Sequence, residues 1–143
     1  MTRLFILLTL TLASAFAAET ERFVQSLDAP KYPPLAYQAR IQGTVKLSVV
    51  VNAEGQVETA TVISGPLALQ GGALKNVKSW RFAASTERKS SQLSVVYEYK
   101  VEGKEIPYTE PDKQHFHVNL ELPARVEISA PPMTIDTFSS GSN

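Results

Sequence analysis

An alternating run of apolar and polar residues late in the chain constrains the fold more than any other feature of the sequence. Between residues 93 and 101, the positions Leu93, Val95, Tyr97, Tyr99 and Val101 alternate with mostly polar ones. Alternation with period two, rich in β-branched and aromatic residues, is typical of a strand with one buried face. A strand of this kind needs neighbouring strands and a covering layer, so the run predicts a sheet that is covered on one face.

Two further runs predict the neighbouring strands. Residues 44–52 alternate in the same way, and residues 56–64 follow after a short turn. In that turn, Gly55 can adopt the left-handed conformation that closes a hairpin. The apolar positions of the second run change phase after Val57, which predicts a β-bulge in the second strand of the hairpin.

Apolar spacing also predicts two helices. A short first helix begins at Pro34, whose missing N–H costs nothing in a first turn. A second helix covers residues 69–80, with apolar residues on one face and Trp80 as a core residue at its end. Because Gly71 and Gly72 disfavour a helical first turn, we expect this helix to begin late or to fray.

The order of these elements predicts the fold class. The second helix returns the chain, so the third long strand runs parallel to the second, and a fully antiparallel sheet places it beside the first. The sequence therefore predicts an α+β domain of two layers, with an antiparallel three-stranded sheet in the spatial order 2-1-3 and two helices on one face. Residues 115–122 and 126–130 predict one or two extra C-terminal strands, and residues 131–143, rich in Pro, Ser and Gly, predict a flexible tail.

The N-terminal residues predict export. Arg3 precedes the uncharged, mostly apolar residues 4–18, which contain the small-residue cleavage pattern Ala15-Phe16-Ala17. We expect residues 1–17 to be a signal peptide that is cleaved near Ala17, followed by a lead-in segment over residues 18–31. The alternative is an uncleaved inner-membrane anchor, although a membrane span needs about 20 apolar residues.

Composition excludes several classes of function. Lys and Arg number 14, as do Asp and Glu, and the resulting net charge of zero argues against a nucleic-acid binder that uses a basic face. The absence of cysteine excludes a disulfide framework, a thiolate nucleophile and a cysteine-built metal site. No nucleophile motif, phosphate-binding loop or metalloprotease motif occurs, so the residues predict neither an enzyme nor a cofactor.

His115 and His117 are the candidate metal ligands, because the two residues share one face of a predicted strand. Glu110, Asp112 and Glu121 are the carboxylates nearest in sequence. A closed site needs three or four convergent ligands. The simpler interpretation is a solvated polar face of the strand, and the sequence predicts no metal.

Residues 32–82 resemble the C-terminal domain of TonB energy transducers, and the predicted strand over residues 93–101 extends the resemblance. It rests on an ordered set of short motifs rather than on any single one. The domain itself would cover residues 32–102, with a C-terminal strand extension over residues 103–130. The matching motifs are Tyr32-Pro33, Ala39-Arg40 with Gly43, Val45-x-Leu47-x-Val49-x-Val51, Gly55-x-Val57, Val62-x-Ser64-Gly65, Ala73-Leu74-x-x-Val77 and Trp80-Arg81-Phe82.

The resemblance implies a periplasmic, non-enzymatic domain that binds an extended segment of an outer-membrane transporter or another envelope protein. The segment adds as a strand to the edge of the third strand, so that backbone groups make most of the contact. It implies no cofactor and no nucleic acid, and it leaves open a homodimer through edge strands. The implied partner-binding edge consists of Leu93, Ser94, Val95, Val96, Tyr97, Glu98 and Tyr99.

Three departures from the family pattern support a second hypothesis. The expected Pro-rich spacer is not evident, since only residues 18–31 precede the domain after the apolar segment. Ala29 stands where well-known members carry Gln. The strand predicted over residues 115–122 can also occupy the edge of the third strand. The alternative is therefore a structural or assembly component of the envelope that keeps the fold without transducing energy.

Overall fold

A five-stranded sheet with two helices packed against one face forms the body of the protein. The computed structural model describes residues 22–107 and 116–134. The predicted signal peptide, residues 1–17, lies outside these residues. In chain order the elements are β1 (Val24–Ser26), α1 (Pro34–Gln38), β2 (Gly43–Val51), β3 (Val57–Ser64), α2 (Leu67–Lys78), β4 (Arg81–Phe82), β5 (Ser91–Val101), β6 (Ile106–Pro107), β7 (His117–Glu121), β8 (Arg125–Ala130) and β9 (Met133–Thr134).

The central part of the sheet has the predicted order. Strand β2 lies between β3 and β5 and is antiparallel to both, so the order 2-1-3 of the three long strands is confirmed. The sheet as a whole is mixed, because β8 joins β5 in parallel and β7 lies outside β8. The complete order is β3-β2-β5-β8-β7.

The strand predicted over residues 115–122, which could have covered the edge of the third strand, does not pair with it. The strand beside β5 is β8, whose residues Val126, Ile128 and Ala130 are buried, whereas every residue of β7 is exposed. Apolar and polar residues alternate more clearly in the sequence of β7 than in that of β8. The apolar side chains of β8 are buried, however, and this burial stabilises the pairing of β8 with β5 more than the exposed side chains of β7 could.

The hairpin between β2 and β3 forms as predicted. Gly55 has a φ of +90°, and a Cβ at this position would lie 2.0 Å from the carbonyl oxygen of Phe82. Val50 pairs with Thr59 and Val51 with Val57, which leaves Glu58 between them as a bulge. The change of apolar phase therefore marks a real β-bulge.

The second helix does not begin late. Helix α2 starts at Leu67 and continues through Gly71 and Gly72. A Cβ on Gly72 would lie 2.7 Å from Cγ of Pro33, so this glycine lets α2 approach the residue before α1. The tertiary contact outweighs the low helix propensity of glycine, which amounts to about 1 kcal/mol.

The core lies between the sheet and the helices. Trp80 is fully buried, as the sequence predicted, and it packs near Phe82 and Tyr97 at centroid distances of 6.0 and 6.3 Å. The odd-numbered residues of β2 and β5 face this core. No helix within residues 22–107 and 116–134 is long and apolar enough to cross a membrane.

Both ends of the described chain form strand pairs with other parts of the domain. In the lead-in segment, β1 pairs with β4. Where we expected a flexible tail, Met133 is only 7% exposed, and β9 pairs in parallel with β6. The carbonyl oxygen of Met133 also accepts a hydrogen bond from Arg40 at 3.0 Å. The residues after Thr134 lie outside the described range.

Candidate partner-binding edge

The seven residues predicted to form the edge all lie on β5. Tyr97 and Tyr99 point into the core, with exposed fractions of 0% and 1%. Ser94 and Glu98 lie on the opposite face of the sheet, which neither of the two described helices covers. Strand β2 already pairs with one side of β5, so another strand can be added only along the opposite side, which we call the flank of β5.

Strand β8 occupies the C-terminal half of that flank. The pairing runs from Val96 with Arg125 to Val101 with Ala130. The N–H of Val96 donates to the carbonyl oxygen of Ala124 at 2.8 Å, just before β8 begins. Four of the seven predicted edge residues are thus already paired on this side: Val96, Tyr97, Glu98 and Tyr99.

The N-terminal half of the flank has no strand beside it within the described residues. Leu93, Ser94 and Val95 pair only with β2. Backbone groups point to alternate sides along a strand, and the N–H of Val96 points towards β8. The N–H and C=O groups of Ser94 and Gln92 therefore point to the same flank and can hydrogen-bond to an added strand.

Charged side chains join β8 to β5 across the uncovered face. The ammonium of Lys100 lies 3.2 Å from Oε1 of Glu98 and 3.3 Å from Oε2 of Glu127, and Arg125 forms an ion pair with Glu98. Hydrogen bonding to Lys100, and then to Arg125, holds the pKa of Glu98 below its ordinary value. The cluster therefore favours the docked position of β8.

Apolar contacts hold the same strand from the other face. Val126 and Ile128 are fully buried. The residue that follows β8, Pro131, accepts a hydrogen bond from the hydroxyl of Tyr37 through its carbonyl oxygen. Burying a Val or Ile side chain contributes roughly 1.5–3 kcal/mol. Strand β8 is thus an integral part of the sheet in this state.

A buried asparagine lies beneath β5, and the sequence patterns did not single it out. Asn76 on α2 is 7% exposed, and its Oδ1 accepts hydrogen bonds from the hydroxyl of Tyr97 at 2.7 Å and from Nε1 of Trp80 at 3.2 Å. Its Nδ2 donates to the carbonyl oxygen of Asp28 at 2.7 Å. The sequence pattern that could have indicated its role is the presence of a polar residue on the same predicted helical face as the apolar residues Ala73 and Trp80.

The candidate metal ligands are only partly described. His117 and Glu121 are exposed on β7, while His115, Glu110 and Asp112 lie outside the described residues. Within residues 22–107 and 116–134, no group of three or more His, Cys, Asp or Glu side chains is arranged to hold a metal ion.

Comparisons with known proteins agree on one family. The profile of the family described as "Gram-negative bacterial TonB protein C-terminal" matches residues 28–101. The chain is 36% identical over 75 residues to Protein TonB of Xanthomonas campestris pv. campestris, strain B100, which covers 51% of this chain and 34% of the relative. Protein TonB of strain ATCC 33913 of the same pathovar matches to the same extent. The chain thus spans about a third of the length of these relatives.

A solved structure has a similar fold. The solution NMR structure of the Pseudomonas aeruginosa TonB CTD superposes with a TM-score of 0.50 at 18% sequence identity, covering 62% of this chain and 94% of that one. The family profile covers more than half of the 143 residues, including both helices and all of β2, β3 and β5. The chain therefore belongs to the TonB C-terminal domain family, which is not a family of enzymes.

Proposed function

We propose that this protein acts in the periplasm and binds an extended segment of an outer-membrane transporter, or of another envelope protein, by strand addition to β5. The family supports a role in TonB-dependent transport. The observation that supports the binding mode is the pairing of β8 with β5, in which this flank takes up a parallel strand of the same chain over six residue pairs. The proposal includes export through the N-terminal segment and requires no cofactor.

The partner segment binds first where β5 is free. Among the residues that the structure describes, no strand pairs with Gln92 and Ser94 on this flank, and strand addition depends on backbone groups more than on particular side chains. To use the whole predicted edge, through Tyr99, the segment must also displace β8 from Val96 onwards. Strand β8 then occupies part of the binding site until the partner arrives.

A second candidate function rests on the same strand. The burial of Val126 and Ile128, together with the ion pairs of Arg125, favours a permanent β8. A domain with its edge permanently covered would serve as a structural or assembly module of the envelope, without coupling to energy transduction.

A peptide titration separates the two functions. The folded chain without the predicted signal peptide, residues 18–143, is labelled with ¹⁵N and titrated with synthetic peptides copied from the periplasmic plug segments of outer-membrane transporters. Strand addition predicts shifts at the amides of Gln92 and Ser94, and faster exchange at the amides of β8. Scrambled peptides of the same composition are the control. Unchanged spectra with every plug peptide would favour the structural role.

A further inference from the structure

Residues 22–28 of the lead-in segment lie along the domain as a strap, which is held at several points. Strand β1, within the strap, pairs with β4. The guanidinium of Arg22 donates to the carbonyl oxygen of Asn52 at 2.6 Å, in the turn between β2 and β3, and also to a carbonyl oxygen in the loop before β5. The side chains of Val24 and Leu27 are partly buried against the core.

The last residue of the strap, Asp28, is held by the C-terminal end of α2. Its backbone N–H donates to Oγ of Ser79 at 3.0 Å, and its carbonyl oxygen accepts a hydrogen bond from Nδ2 of Asn76 at 2.7 Å. The hydroxyl of Ser79 donates in turn to the carbonyl oxygen of Asn76 at 2.6 Å. Both backbone groups of Asp28 therefore bind the strap to the helix.

The side chain of Asn76 also supports β5, through its other end. Its Oδ1 accepts hydrogen bonds from the hydroxyl of Tyr97 and from the indole N–H of Trp80. Because an indole N–H can only donate, Trp80 fixes the orientation of the amide, with Nδ2 towards Asp28. Tyr97 lies opposite Val126 in the pairing of β5 with β8, and both side chains are fully buried. One buried amide thus connects the strap to the part of β5 that β8 covers.

Undocking of the strap would remove the acceptor of Nδ2 of Asn76. A buried donor that loses its partner is costly, so the amide must either stay unsatisfied or rotate towards water. Rotation carries Oδ1 away from Tyr97 and Trp80, and β5 then loses support where β8 pairs with it. We propose that docking of the strap and pairing of β8 with β5 are coupled through Asn76, so that each stabilises the other.

This coupling gives the partner-binding edge a control from the N-terminal side of the domain. Undocking of the strap favours release of β8, and a partner that displaces β8 favours undocking of the strap, because coupling between two equilibria is reciprocal. Regulation of partner binding in this way rests on the proposed function. The coupling itself belongs to the free protein and is measured without a partner.

Charged substitutions in the strap test the coupling in the chain without the predicted signal peptide. We expect Val24→Asp/Leu27→Asp to undock the strap, because both side chains pack against the core. Loss of protection from hydrogen exchange at the N–H of Asp28 reports the undocking. Exchange at the N–H of Val96, which donates to the residue before β8, should then rise about tenfold relative to the amides of β2.

The same charges at exposed positions of β1 are the matched control. Gln25→Asp/Ser26→Asp should leave the strap docked and exchange at Val96 unchanged. If Val24→Asp/Leu27→Asp unfolds the whole domain, which the amides of β2 report, the milder Leu27→Ala takes its place. The rise at Val96 should then scale with the undocked fraction of the strap. An undocked strap with unchanged exchange at Val96 would overturn the proposal.

Removal of one hydroxyl tests the route through Asn76. Tyr97→Phe deletes the hydrogen bond to Oδ1 of Asn76 and keeps the ring. In this background, undocking of the strap should raise exchange at Val96 by less than about twofold, because the link is already absent. An equal rise with and without the hydroxyl would show that Asn76 does not couple the strap to β8.

Peptide binding provides the readout that depends on the proposed function. A plug peptide that displaces β8 should bind the variant with the undocked strap several-fold more tightly than the wild type, because the form with β8 released is more populated. Faster exchange at Val96 without tighter binding would uphold the coupling and contradict its role in partner binding.

Discussion

Arg125, the first residue of β8, forms an ion pair with Glu98, which lies in the C-terminal half of β5. Lys100 lies on the other side of the same carboxylate, with its ammonium 3.2 Å from Oε1 of Glu98. These contacts lie on the uncovered face, whereas the apolar side chains of β8 are buried on the other. The strand that covers part of the predicted binding edge is therefore held from both faces of the sheet.

Removing one partner of this ion pair should loosen β8 without unfolding the domain. We expect Arg125→Ala to speed hydrogen exchange at the amides of β8 several-fold, while the amides of β2 exchange as before. The effect is modest because partly exposed ion pairs contribute little to stability. Lys89→Ala, which breaks an exposed pair with Glu87 in a loop, is the control and should leave β8 unaffected.

The same cluster predicts a dependence on acid pH. Hydrogen bonds from Lys100 and Arg125 lower the pKa of Glu98, so its carboxylate stabilises the folded protein above the ordinary glutamate range. That contribution is lost as the pH falls through the lowered pKa. Amide exchange in β8, corrected for its intrinsic dependence on pH, should stay constant from neutral pH to about pH 5 and rise below about pH 4. Glu98→Gln should remove most of this rise in amide exchange at acid pH.

Two adjacent glycines of α2 should respond in opposite ways to alanine. A Cβ on Gly71 would have no neighbouring atom within 4 Å, so Gly71→Ala should stabilise the protein by about 0.5–1 kcal/mol through helix propensity. A Cβ on Gly72 would lie 2.7 Å from the ring of Pro33, so Gly72→Ala should destabilise it by about 1–3 kcal/mol. Urea unfolding measures both. Equal effects of the two substitutions would show that the helices do not pack this closely.

Two neighbouring buried tyrosines of β5 form a second matched pair. The hydroxyl of Tyr97 donates to Asn76 at 2.7 Å, whereas that of Tyr99 is buried without a hydrogen-bond partner among the described residues. Burial raises the pKa of both hydroxyls, so both stay protonated into the alkaline range as well as at neutral pH. Tyr97→Phe should cost about 1 kcal/mol, and Tyr99→Phe should be neutral or stabilising by up to about 1 kcal/mol. A larger loss of unfolding free energy for Tyr99→Phe would contradict this arrangement.

Local patterns predicted the parts of the fold that depend on neighbouring residues. The alternation over residues 93–101, the hairpin turn at Gly55 and the change of phase after Val57 all correspond to observed features. The order of the three long strands followed from connectivity alone. Trp80 was identified as a core residue from its position on the apolar face of the helix predicted over residues 69–80, although α2 ends at Lys78.

The predictions from the sequence were wrong or incomplete where the structure depends on contacts between residues that are far apart in the chain. The helical conformation of Gly72 depends on Pro33, which lies on a different element. The importance of Asn76 depends on Tyr97 and Trp80, and a lone asparagine in the sequence does not reveal such contacts. The partial cover of the binding edge depends on β8, whose short apolar row is less distinct in the sequence than that of β7.

The central claim is that a partner strand takes the place of β8 on β5. Lys100 and Ser129 are direct partners in the parallel register, and the chain has no cysteine of its own. Adjacent strands lie about 4.8 Å apart, a spacing that a disulfide can bridge. The variant Lys100→Cys/Ser129→Cys can therefore lock β8 to β5 when oxidised and release it when reduced.

The most direct measurement is the affinity of this variant for a transporter plug peptide in its two redox states. The reduced form lacks the ion pairs of Lys100 with Glu98 and Glu127, so it should bind at least as tightly as the wild type does. The oxidised form should bind at least about tenfold more weakly than the reduced form, because the locked strand blocks half of the edge. Equal affinity of the two forms would contradict the displacement of β8. Absence of binding in both forms, with the protein folded, would contradict strand addition itself.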